Sequence, residues 1–93
     1  MPFVREQSGG TGAGTVLEVK SYSVGASSNG TGSTTVTLSQ AYPNARVAVK
    51  MNSQSDALAL YYTVSGSNVT IRVRNFYSSY LSQSGEVVVY EVD

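Results

Sequence analysis

The chain contains no cysteine and no histidine, and these two absences remove most of the chemistry open to a small domain. Disulfide staples and the usual Cys and His metal sites are excluded. A nucleophile activated in the Ser-His-Asp manner is excluded too, and no cofactor is expected. Charge is scarce: six acidic and six basic residues cancel. The basic ones are scattered at Arg5, Lys20, Arg46, Lys50, Arg72 and Arg74, whereas binding to a phosphate backbone needs several cations on one face. No nucleic-acid partner is therefore expected. No run approaches the roughly 20 apolar residues of a membrane span, and residues 1–6 lack the basic start and apolar core of a secretory signal. A helical period is also missing, and the absence of cysteine carries no information on redox compartment.

At 93 residues the chain is one domain, able to bury only about 60 to 65 per cent of the surface that its unfolded form exposes. With disulfides and structural metals gone, oligomerisation is the remaining way to recover stability. Ser, Thr, Gly, Val and Tyr dominate, a composition that favours β structure and a surface wetted by hydroxyls rather than ions. Such surfaces are frequent on extracellular and virion proteins.

The clearest strand signal lies in residues 68–75. Val69, Ile71 and Val73 alternate with Thr70, Arg72 and Arg74, so three branched side chains face a core while a threonine and two guanidinium stems face outward. A loop carrying Phe76, Tyr77 and Tyr80 follows. This is the densest cluster of recognition-type side chains, and Arg74, Asn75, Phe76, Tyr77 and Tyr80, with Asp56, form the candidate ligand site. A ring can lie on the apolar face of a sugar while Asp, Asn and Arg supply directed hydrogen bonds. In the competing reading Phe76 closes the end of the core and the tyrosines cover a subunit contact.

Residues 1–14 read as a glycine-rich arm and residues 15–93 as the folded domain. The arm's isolated apolar pair, Phe3 and Val4, suits an anchor that adds a strand to a neighbour's open edge. Its glycines do not form a phosphate cradle, because no strand precedes them and no helix pattern follows. Further strands are expected at residues 15–24, 33–39, 45–51, 57–64 and 86–92. Both faces of the first carry apolar groups, so it is expected to touch a second surface as well as its own core. Leu58, Leu60, Tyr62 and Val64 share the apolar face of the fourth, and Leu58, Leu60, Ile71 and Val73 are expected in the core. Six strands at hairpin spacing define an all-β fold, a small six-stranded antiparallel β-sandwich. A paired-carboxylate mechanism would need two of Glu18, Asp56, Glu86 and Glu91 in one cleft. Glu18 and Glu91 read as ordinary outward charges, and the chain is not expected to be an enzyme.

The order of the parts resembles the H-type lectin fold: a strand ending at Leu38 and Ser39, a corner at Ala41, Tyr42 and Pro43, an apolar strand from Val47 to Met51, the hairpin strand ending at Asn75, and a closing run from Ser84 to Tyr90. The layout is similar also to the tip domains of phage tail fibres and other viral receptor-binding proteins. The resemblance implies a homotrimer that binds host-surface carbohydrate at subunit boundaries, carried on a virion or another extracellular particle without an encoded signal peptide. It places the sugar near residues 53–56 and 74–77. Lectin members commonly hold a histidine or tryptophan in the latter loop, and this chain has neither. The alternative is a structural capsid, decoration or filament subunit that binds no glycan.

Overall fold

A computed structural model describes residues 15–53 and 56–92. The expected arm, and with it any contact to other virion proteins, lies outside the described residues. Six strands follow one another: β1 (Thr15–Ala26), β2 (Thr31–Thr37), β3 (Arg46–Met51), β4 (Leu58–Ser65), β5 (Asn68–Asn75) and β6 (Leu81–Glu91). They form two three-stranded sheets, ordered β1-β6-β3 and β2-β5-β4, with every pairing antiparallel. The two sheets pack together as a small β-sandwich.

Period-two patterning places the core. Val69, Ile71 and Val73 on β5 and Val87 and Val89 on β6 are at most 1% exposed. Around them pack Tyr22, Val24 and Ala26 of β1 together with Val36, Leu38 and Leu58. Each sheet thus contributes its central strand most deeply. The β4–β5 hairpin turns through Gly66 and Ser67, and Gly66 has φ +60°, the left-handed first position that a two-residue hairpin of type II′ requires.

One side of the sandwich is closed and the other stands open. Where β2 crosses β1, a side chain on Gly32 would run into the Gly25 carbonyl, so glycine permits the close approach. On the opposite side β3 and β4 diverge around a groove of about 450 Å³ lined by Tyr42, Pro43, Val47, Tyr62 and Val64, among others. The expectation for β4 is therefore corrected in part. Leu58 is buried and Leu60 packs against the core from a half-buried position, but Tyr62 and Val64 are 39% and 45% exposed. The divergence of the edge strands removes the layer that would cover them. The Tyr62 hydroxyl still spans the gap, donating to the Val47 carbonyl at 2.8 Å.

Glu18 is the second correction, since it is not an ordinary outward charge. Its carboxylate accepts hydrogen bonds from the Ser39 N–H at 3.0 Å, the Ser39 hydroxyl at 2.8 Å and the Tyr42 hydroxyl at 2.7 Å. A register shift between Val16 and Glu18 accompanies this placement, a bulge that re-aims the side chain. The carboxylate ties β1 to the β2–β3 connection. The Tyr42 hydroxyl first, and then the Ser39 hydroxyl, hold the Glu18 carboxyl below its usual range. A depressed folded-state value means that this contribution is present above the unfolded value and is lost as pH falls through the folded one. Thermal melts across the acid range should show the midpoint dropping below the ordinary carboxylate range, and Glu18→Gln should flatten that part of the curve. An unchanged acid limb in the variant would mean that other carboxylates set it.

Candidate functional site

The aromatic loop occupies residues 76–80, between β5 and β6, and one buried side chain organises it. Asn75 continues the inward alternation of Val69, Ile71 and Val73 and is 0% exposed. Its amide nitrogen donates to the Ala26 carbonyl at 3.0 Å and to the Ser79 carbonyl at 2.8 Å, while its oxygen accepts from the Tyr77 N–H at 2.8 Å. Asn75 is thus not presented to a ligand. It braces the loop from within, satisfying backbone groups on both sides of it, as a buried amide must.

Backbone contacts complete the anchorage. The β1–β2 turn is pinned by the Gly30 N–H on the Ser27 carbonyl at 2.8 Å, with Asn29 at φ 55°, a left-handed conformation that asparagine tolerates. That turn reaches the loop twice, since the Asn29 N–H donates to the Tyr77 carbonyl at 3.2 Å and the Asn75 N–H to the Gly30 carbonyl at 2.8 Å. On the other flank the Phe76 N–H donates to the Ala57 carbonyl at 2.8 Å. Asp56, exposed, is the next residue along from that carbonyl.

The rings themselves face water. Phe76, Tyr77 and Tyr80 are 60%, 50% and 65% exposed, so within the single chain Phe76 does not close the end of the core. Arg74 points outward and lies over the Phe76 ring, 5.2 Å from its centroid, within cation–π range. The ring of Tyr80 lies against Gly25 so closely that a β-carbon there would collide with its hydroxyl. Five of the six expected residues are therefore exposed at the same end of the sandwich, with Arg74 set against Phe76 and Tyr80 against Gly25. The sixth, Asn75, holds them there.

Sequence reasoning expected a second contact surface on β1, but not its continuation across the sheet, and did not single out the outer face of the second sheet. The outer face of the first sheet carries an apolar row, Val19 opposite Val88 opposite Ala48. Val88 is only 5% exposed yet lies outside the core cluster. The outer face of the second sheet carries hydroxyls and two arginines, with Ser33, Arg72 and Tyr61 in register across β2, β5 and β4. The outward alternation was a visible signal for each face, but the cross-strand rows depend on register. Among the described residues no three of His, Cys, Asp and Glu gather as a metal site would require.

The fold and the loop define a small β-sandwich with a braced, solvent-facing aromatic loop at one end. No family model, no curated protein and no solved structure matches the chain.

Proposed function

We propose that the chain is a non-catalytic recognition domain of a virion or tail fibre, which self-associates as a homotrimer and binds host-surface carbohydrate through the aromatic loop. The observation that carries this reading is the combination of three solvent-facing rings with a backbone fixed from both sides. Rings that stabilise a fold are buried by it, whereas these are held out by a buried amide spent on ordering their loop. Pre-ordering reduces the entropy lost on binding. The resemblance to H-type lectins supplies the ligand class and the trimer, and the exposed apolar residues of β1, Val16, Leu17 and Val19, supply a surface for association.

Net gain per sugar hydrogen bond is only about 0.5 to 1.5 kcal/mol, so single-site affinity is weak. Attachment then depends on linked sites, each raising the effective concentration for the next. Tyr77→Ala should abolish glycan or cell binding while the thermal midpoint and the trimer mass by light scattering stay close to those of the parent. A monomer across the micromolar range would remove the multivalent argument. Dissociation or unfolding of the variant would make Tyr77 a packing element.

The second reading, a structural capsid, decoration or filament subunit, is favoured by the same exposed apolar residues of β1. A lattice contact needs such a face, and a receptor-binding tip needs only one. The position of the protein in its particle, distal or within the wall, separates the two.

A further inference from the structure

We propose that the outer face of the second sheet is a separate subsite for the acidic group of a saccharide, a sulfate ester or a carboxylate, with Arg72 as its anion ligand. The proposal deepens the recognition reading and rests on it for the saccharide class, but it uses different residues. A depression of about 290 Å³ lies on this face, lined by Thr31, Gly32, Ser33, Tyr61 and Arg72. Arg72 stands on the central strand with Ser33 directly opposite on one side and Tyr61 on the other.

Three features make this an anion site rather than a generally wetted face. Strands β2, β4 and β5 contain no aspartate or glutamate, so the Arg72 guanidinium has no carboxylate partner on its own sheet. A guanidinium offers a planar pair of N–H donors that fits two oxygens of one carboxylate or sulfate. The flanking groups are short hydroxyls and a glycine, which leave room for the anion, while the 54% exposed Tyr61 ring offers an apolar wall with a polar tip. Arg74 stands two residues along the same face, roughly 7 Å away at the rise of an extended strand. It connects the depression to the aromatic loop through its stacking on Phe76. A ligand whose neutral ring lies on the loop can thus extend its acidic substituent onto Arg72.

The test is an array of oligosaccharides printed as matched neutral and sulfated pairs, probed with the full chain and with Arg72→Gln, Arg72→Lys and Tyr77→Ala. A charge-assisted pair of hydrogen bonds predicts about tenfold or greater preference for the sulfated member, falling as salt is raised. Arg72→Gln should bring that preference close to one and leave the neutral member's binding unchanged, while Arg72→Lys keeps part of it. Tyr77→Ala should weaken both members together. Equal binding of each pair by the parent chain, or an undiminished sulfate preference in Arg72→Gln, overturns the subsite and leaves the loop reading standing. Sulfate-dependent binding that survives Tyr77→Ala in full supports the subsite and removes the loop. Absence of binding to either member overturns both.

Discussion

Ile71→Ala is expected to lower the stability of the fold by about 2 to 5 kcal/mol, the range for large-to-small changes in packed interiors. Ile71 is fully buried on the central strand of the second sheet, paired with Thr34 on one side and Tyr62 on the other. Neither neighbour fills the space that is left: Thr34 carries a hydroxyl, and Tyr62 is held by its bond to Val47. Collapse of the site is limited, which pushes the cost away from the low end. In a domain of this size each kcal/mol moves the thermal midpoint by about 4 to 8 °C, so the melt should shift by roughly 10 °C or more. A denaturation midpoint equal to that of the parent would place Ile71 outside the core.

Asn75→Ala is the second large effect, and its pattern differs. Removing the amide leaves the Tyr77 N–H and the Ala26 and Ser79 carbonyls without this partner, and each buried group left unmade costs about 1 to 3 kcal/mol. Water entering at the loop offsets part of that sum, so an overall loss of about 2 to 4 kcal/mol is expected, together with faster amide exchange at residues 76–80. Asn75→Asp separates the roles, because a carboxylate can still accept from Tyr77 but cannot donate to the two carbonyls. It should be at least as damaging as alanine. If Asn75→Ala melts like the parent and its loop amides exchange no faster, the amide is not the brace.

The sequence was legible wherever a side chain's surroundings follow from its own strand. Alternation located six strands, the inward set Val69, Ile71 and Val73, and the ring loop after β5. It was less informative at ends and crossings. Strand β6 begins at Leu81, not near Glu86, because Gly85 is an internal strand residue lying against the Lys50 carbonyl, with Tyr22 directly opposite on β1. A glycine that reads as a strand boundary is here a point of close backbone approach. For Asn75 the signal was present and pointed inward, since the residue continues the parity of Ile71 and Val73; its amide chemistry suggested a ligand instead. The Glu18 cluster and the row through Arg72 were not legible, because both are made by residues brought together only by register and by the crossing of strands.

The pairing of β1 with β6 has a consequence for how the molecule comes into being. Residues 15–26 find their ladder partner in residues 81–91, and β3 also pairs with that last strand. While the chain is being synthesised, the first sheet has no template until its central strand emerges, whereas the β4–β5 hairpin can close locally. Long-range strand pairing of this kind belongs with folding times of milliseconds to seconds. During that interval the apolar residues of β1 are uncovered, so newly made chains at high concentration face a competition between completing the sheet and meeting one another. Slower synthesis or lower temperature during expression should favour completion, by keeping fewer unfinished chains together at any moment.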